Sequence, residues 1–330
     1  MTITEALTVP MPAEAARLAG TFDVARLLAE LEVVRSHRWD LQRVYGDAVG
    51  DSAEVDWRVL SLRSQGGDGT RTDPGGPGLE DFADTEWLAH IPYTRSILAA
   101  LPAPLRAVRF MALGPGAVGV RHRDPMVGPT WGRARLHIPL TTNPGAVVEL
   151  DGVEHRWQPG EFWFGDFNRM HSVWNSGSEP RVHMVIDCHL VPELAEVFPA
   201  DWSAYFEHGD VLFHRPENPL QAAELAALPA AFDLPAAFVD WERTGDPFAG
   251  AEQPQATVTV ELVGDALELQ VAGGRRLRLV HVADREFRFA GWTQERTVQL
   301  LTDRPQPAVL LRSRAGRTVR ELTVPARPTA

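Results

Sequence analysis

Apolar side chains recur along residues 21–34, TFDVARLLAELEVV, at Phe22, Val24, Leu27, Leu28, Leu31 and Val34, which is the spacing of one buried stripe on an α-helix. The pattern changes to period two over Trp57 to Ser64, WRVLSLRS, as expected of a strand. The Gly, Asp and Pro rich stretch from Ser64 to Gly78 predicts a mobile surface loop, a type of segment that in some enzymes covers the active site. Helical spacing returns from Tyr93 to Leu101. From Leu105 onward the chain breaks into short apolar runs between turns: LRAVRFMAL, GPGAVGVRHRD, ARLHIPLTT, AVVELDG, VEHRWQPG, EFWFGDF, SVWNSG and RVHMVIDCHL. Closely spaced short strands with Gly, Pro and Asn turns predict a jelly roll of the cupin type. A mixed region with helical patches such as PLQAAELAAL runs from Pro192 to about Gly250, and beyond it TVTVELV, ALELQV, RRLRLVHV and TVRELTV alternate again. The expected fold class is therefore mainly β with helices. Residues 1–104 form a helical and strand support region, 105–195 a double-stranded β-helix catalytic core, 196–250 a helical extension and 251–330 a small β-rich C-terminal module. No internal repeat is found.

Composition narrows the class. Hydrophobic residues make up 44% and charged residues 23% of the 330 positions, and no apolar run approaches the ~18 residues that span a bilayer, so a soluble chain without a membrane partner is expected. The N-terminal stretch MTITEALTVPMPAEAARLAG lacks a basic region followed by an apolar one, which makes the cytoplasm the expected location. A net charge of -12 argues against nucleic acid as a partner. The chain has no lysine, so every basic side chain is an arginine, whose planar fork binds carboxylates through two hydrogen bonds. The one cysteine, Cys188, excludes an intrachain disulfide and a thiolate metal cluster. It is expected to be a buried, inert thiol, and a metal site must then use His, Asp and Glu. Nothing in the pattern speaks to oligomeric state.

Those ligand types occur together at His122-Arg123-Asp124. On a strand, positions i and i+2 share a face, so this imidazole and carboxylate would converge on one point. His171, on a later strand of the same barrel, is the candidate third ligand. Two histidines and a carboxylate leave three positions of an octahedron open, the signature of non-haem iron(II) oxygenases, whereas the helical HExxH of many zinc hydrolases is absent. A 2-oxo acid can fill two open positions and dioxygen the third. After His171 a turn through Asn175, Ser176 and Gly177 leads to Arg181. Read as an antiparallel hairpin, this places Arg181 on the side of His171, about 7 to 13 Å along the strand at ~3.3 Å per residue. The shorter end fits a five-carbon diacid bound between metal and guanidinium.

The segment HRDPMVGPTWGRARLHIPL, followed by QPGEFWFGDFNRMHSVWNSGSEPRVHMVID, resembles the aspartyl/asparaginyl β-hydroxylase family, and its bacterial free-proline cis-hydroxylase branch in particular. The likeness spans roughly Phe22 to Val191 and includes the weaker IPYTRSILAALPAPLRAVRFMALGPG. It implies that His122, Asp124 and His171 bind Fe(II), that Arg181 holds the distal carboxylate of 2-oxoglutarate, and that Arg135 and His137, the family's Arg-x-His strand, also contact this co-substrate. Some members lack the carboxylate ligand, so Asp124 favours the proline-hydroxylase-like branch. The module beyond about Gly250 lies outside the resemblance.

The implied activity is hydroxylation of a free amino acid or amino-acid derivative, with dioxygen consumed and succinate and CO2 released. Two other readings are weighed beside it: an Asp/Asn β-hydroxylase acting on a peptide or carrier-bound residue, and a non-catalytic cupin-like metal or ligand-binding protein. Arg109, on a barrel strand leading toward the HxD motif, and Arg95 are candidates for a substrate carboxylate. His183 shares strand parity with Arg181 and is a candidate pocket residue, and Asp187 continues that parity as a candidate supporting hydrogen-bond partner. His155 and His189 are expected to be structural or exposed. Trp163, Phe164 and Trp174 are expected in the core, and Asp166 is expected to cap the turn before His171.

Overall fold

The computed structural model describes residues 8–37, 39–42, 55–241, 245–250 and 254–329. The chain divides into two units. The first comprises residues up to Gly75, Phe82–Pro129 and Arg133–Asp210, and the second comprises Gly76–Asp81, Thr130–Gly132 and Val211–Ala330.

In the first unit, β1 (Ala15–Thr21) precedes α1 (Val24–Arg35), whose N-cap Asp23 accepts a hydrogen bond from the Arg26 N–H at 3.1 Å. Leu27, Leu31 and Val34 form the buried stripe of α1, while Leu28 lies at its exposed rim. Glu30 is buried with the stripe because its carboxylate accepts from Thr94 N–H and Oγ1, both at 2.8 Å, and so caps the start of the second helix. After β2 (Asp40–Leu41), β3 (Trp57–Gln65) and β4 (Phe82–Asp84) comes α2 (Pro92–Ala100). The eight short runs from Leu105 all become strands: β5 (Leu105–Leu113), β6 (Val118–His122), β7 (Arg133–Thr141), β8 (Ala146–Leu150), β9 (Val153–His155), β10 (Glu161–Gly165), β11 (His171–Asn175) and β12 (Arg181–His189).

These strands make the two sheets of a jelly roll. The larger has the order β1-β10-β7-β12-β5-β3-β2, with β4 also on β3, and the smaller has the order β6-β11-β8-β9. An apolar cluster including Leu113, Val148, Leu150, Trp157, Phe167 and Val173 lies between strands of both sheets. Three expectations change here. Residues 1–104 are more than a support, since β1 to β4 are strands of the larger sheet itself. The 64–78 segment is tied by its own hydrogen bonds: Asp68 accepts from Thr70 N–H at 2.8 Å, and Asp73 accepts from Gly75 N–H at 2.9 Å. β11 and β12 do not form a hairpin, because β11 pairs with β6 and β8 while β12 pairs with β5 and β7. Residues 176–180 therefore carry the chain from one sheet to the other.

The 196–250 region departs from a helical extension. It contains the short helices α3 (Ser203–His208) and α4 (Ala222–Ala226) and then a strand, β13 (Ala230–Pro235). That strand opens the closed barrel of the second unit, which continues through β14 (Gln255–Val263), β15 (Ala266–Val271), β16 (Arg276–Ala283), β17 (Glu286–Phe289), β18 (Arg296–Leu301), β19 (Ala308–Ala315) and β20 (Thr318–Pro328). The barrel begins at Ala230 and not at 251, because β13 pairs with both β14 and β20 and closes the ring. Alternate side chains such as Phe232, Val260, Leu269, Phe287, Val298 and Leu311 are buried, as the two-residue period of a filled barrel requires. On β17 the Glu286 carboxylate meets Arg215, Arg312 and Arg314. Burial opposes its ionisation, but Arg215, Thr297 and Arg314 hold its pKa down to about 2. Among the described residues no helix is long and apolar enough to cross a membrane.

Candidate active site

His122 ends β6 and His171 begins β11, and the two are register partners. Further along the pair Gly119 lies opposite Val173, so β6 uses one residue more than β11 over this interval. The resulting bulge reverses the facing of β6. Val118 and Val120 stay exposed while His122 turns to His171, with ring centroids 4.3 Å apart. Asp124 is past the end of the strand, in a turn held by its N–H donating to the Phe167 carbonyl at 3.0 Å. The convergence of His122 and Asp124 is thus made by a bulge and a turn, not by the shared face of a regular strand.

One ligand atom from each of His122, Asp124 and His171 lies within 4.8 Å of the others. His122 Nδ1 donates to the Val120 carbonyl at 2.7 Å, and His171 Nδ1 donates to the Arg169 carbonyl at 3.0 Å. Both contacts fix the tautomer that leaves the Nε2 lone pair free for a metal. His171 is buried, whereas about a third of the His122 side chain and a quarter of Asp124 remain open, so the triad is reachable from one side. A protonated His122 can donate to the Asp124 carboxylate, which raises the His122 pKa, and burial lowers that of His171. Burial also works against ionisation of Asp124, but the Arg135 charge and the His122 hydrogen bond outweigh it and hold the carboxyl far below the usual range.

Behind Asp124 runs a line of alternating charges. Arg135 donates to Asp124 through Nη1 and grips Asp187 through Nε at 2.7 Å and Nη2 at 3.2 Å. Arg109 Nη2 meets the same Asp187 at 3.0 Å, and Arg109 Nη1 reaches the Thr72 carbonyl at 3.4 Å. Asp187 stands directly opposite Arg135 in the β12–β7 register. Burial opposes its ionisation, yet Arg135 and Arg109 keep its pKa low.

Arg181 is different. It is 4% exposed, no carboxylate among the described residues pairs with it, and its Nη2 has no partner there. Burial alone pushes its pKa down to about 9. His183, two residues on and facing the same way, meets His137 with Nδ1 atoms 3.3 Å apart. The His137 ring lies 5.1 Å from that of Trp157, and His137 Nε2 and Trp157 Nε1 are also unpartnered and buried. Burial, then the charge of Arg181, depresses both histidines well below their ordinary pKa, so both are neutral. A buried cation beside unpartnered polar atoms is a receptor for an anion.

Compared with family models, residues 21–190, just over half of the chain, match Aspartyl/Asparaginyl beta-hydroxylase. The chain belongs to this family. Comparison with curated proteins finds no match. Among solved structures it is similar to a Pseudomonas putida prolyl-4-hydroxylase (17% identity, 54% of this chain and 93% of that one, TM-score 0.33). It is also similar to a 2OG-Fe(II) oxygenase family oxidoreductase from Burkholderia pseudomallei (13%, 50% and 77%, TM-score 0.33). A third is a Trichoplax adhaerens prolyl hydroxylase in complex with a hypoxia inducible factor peptide fragment (11%, 54% and 84%, TM-score 0.36).

As an aspartyl/asparaginyl β-hydroxylase family member, the chain is an Fe(II) and 2-oxoglutarate dependent hydroxylase. The residues fit both groups: the triad offers two imidazole nitrogens and a carboxylate, and Arg181 offers an uncompensated buried guanidinium. An intact triad in this family sets aside a purely binding cupin.

The other expected site residues are placed as follows. Arg109 is not available to a substrate carboxylate, because it is buried against Asp187. Arg95 is exposed on α2. Asp187 does support the site, through Arg135, and Asp166 caps its turn by accepting from Asn168 N–H at 3.3 Å. His155 pairs with Glu14 at 3.1 Å and His189 is buried. Phe164 is in the core, whereas Trp163 and Trp174 are only partly buried, and Trp163 stacks on Trp157 with centroids 5.4 Å apart. Cys188 is fully buried, and burial pushes its thiol pKa up. Trp157 and Phe167, which flank His137, were not singled out by pattern, since loop aromatics carry no periodic signal.

Proposed function

We propose that this hydroxylase acts on a free amino acid, proline-like or other, and that Arg181 anchors the distal carboxylate of 2-oxoglutarate. The observation that carries the anchoring role is the unpaired, buried Arg181 guanidinium. His122, Asp124 and His171 hold iron through their free donor atoms. His137 and the two N–H groups of Arg135 not spent on Asp124 and Asp187 face the remaining needs of the co-substrate. With iron bound, 2-oxoglutarate and dioxygen supply the oxidation of a substrate C–H to C–OH, leaving succinate and carbon dioxide. The chain's own work is to fix the tautomers of both histidines, to keep His137 and His183 neutral beside Arg181, and to exclude water with Trp157, Phe167 and Val173.

Support for a free amino acid comes from Asp124, the ligand retained in the free-proline branch that the sequence resembles. Arg109 is committed to Asp187 and Arg71 to Asp73, at 3.0 and 2.6 Å, so the substrate rather than a pre-assigned arginine is what the test below varies. The family description favours a second reading, hydroxylation of an Asp or Asn residue within a peptide. The test is mass spectrometry for the gain of one oxygen across free amino acids and the same residues in capped peptides. Oxygen in free amino acids alone is expected. Incorporation only into peptides rejects the proposal in favour of the second reading.

A further inference from the structure

The two oxygens of the Asp124 carboxylate have different surroundings. Oδ1 faces Nε2 of His122 at 3.3 Å, while Oδ2 is taken by Arg135 Nη1. A carboxylate free to rotate can offer both oxygens to one metal ion and so fill a position that the co-substrate and dioxygen need. Here the guanidinium occupies one oxygen and leaves the other. Arg135 can do this only if its own plane is held, and the holder is Asp187, with contacts at 2.7 and 3.2 Å to Nε and Nη2. The pair is fixed by the fold, since Asp187 and Arg135 are opposed across β12 and β7 in the middle of the larger sheet. Asp187 is 5% and Arg135 8% exposed, so water does not compete for these bonds. Arg109, 2% exposed, closes the far side of Asp187 and balances its charge.

We propose that Asp187 is a positioning residue for the iron site: through Arg135 it sets the Asp124 carboxylate to bind the metal by one oxygen. This rests on the reading of His122, Asp124 and His171 as the metal ligands. Groups that orient metal ligands from behind typically change metal affinity 10- to 100-fold when removed.

The test is Co(II) titration of metal-free protein, followed by visible absorption, which reports affinity and ligand geometry without turnover. Asp187→Asn keeps the size of the side chain and removes its charge. Its Co(II) dissociation constant is expected to rise roughly 10- to 100-fold with an altered band shape, and Asp187→Glu is expected to recover part of both. If Asp187→Asn does not fold, the charge-balanced double variant Asp187→Asn/Arg109→Gln, compared with Arg109→Gln alone, takes its place with the same expectation. A folded variant whose Co(II) affinity stays within about twofold of its reference, with an unchanged spectrum, overturns the proposal and leaves Asp187 a purely structural ion pair. Wild-type protein with no Co(II) site that His171→Ala abolishes overturns the reading of the triad itself, a result distinct from an insensitive Asp187.

Discussion

Replacing Arg181 with methionine separates binding from folding by sign. Arg181 is 4% exposed and pairs with no carboxylate among the described residues, and burial takes its pKa from 12.5 to about 9. At 1.36 kcal/mol per pH unit, that fall corresponds to roughly 5 kcal/mol of disfavoured charge in the ligand-free protein. Methionine removes the charge but loses packing worth about 2 to 4 kcal/mol, so the ligand-free variant should be more stable by roughly 1 to 3 kcal/mol. For a unit of this size that is a rise of about 3 to 10 °C in Tm. Co-substrate binding should suffer the opposite change. Losing one partner of a buried charge pair costs on the order of 2 to 5 kcal/mol, or about 30- to 5,000-fold in the Kd for 2-oxoglutarate. Thermal melts with and without 2-oxoglutarate measure both effects. Wild-type protein should gain roughly 2.7 kcal/mol at a hundredfold excess over Kd, and the variant almost nothing at that concentration. An Arg181→Met protein that melts well below wild type and still responds fully to 2-oxoglutarate would show that Arg181 is neither a destabilising buried charge nor the co-substrate anchor.

Three further outcomes are expected. Asp124→Ala, which leaves Arg135 its partner Asp187, should lose most hydroxylation and most iron affinity, and near wild-type turnover would contradict the ligand assignment. His137 and His183 are neutral when folded but titrate near 6.5 when unfolded, so the unfolded chain takes up protons that the folded chain refuses. Stability of the metal-free protein should then be lost as pH falls below about 6.5, by ~1.4 kcal/mol per pH unit for each histidine, and His183→Gln should remove about half of the pair's slope in denaturant titrations. Cys188, fully buried with its pKa raised, should react with thiol reagents only at the rate of unfolding, and fast labelling of the native protein would be inconsistent with its placement.

The triad was legible because its residue types are uncommon in that order and each lies in or next to an identifiable strand. The routes by which they meet were not. The bulge that turns His122 inward leaves no mark on VGVRH, and the crossing at 176–180 between sheets has the same turn residues as a hairpin. Arg109 was misjudged because its partner Asp187 is far away in sequence, and only the alignment of β5, β12 and β7 brings Arg109, Asp187 and Arg135 together. β1 escaped notice because AARLAGT has little alternation, and β13 because AAFDLP sits among alanines and prolines that resemble a helical patch. In each case the missing information is tertiary: which strand lies beside which.

His122, Asp124 and His171 together support iron and 2-oxoglutarate dependent oxidation. Succinate formation by the purified, metal-free chain, with Fe(II) and 2-oxoglutarate added back in air, tests it most directly. Succinate is expected only when both are present, with its loss without dioxygen and its near abolition in His171→Ala. Succinate formed equally by wild type and His171→Ala, or by neither under any of these conditions, would contradict it.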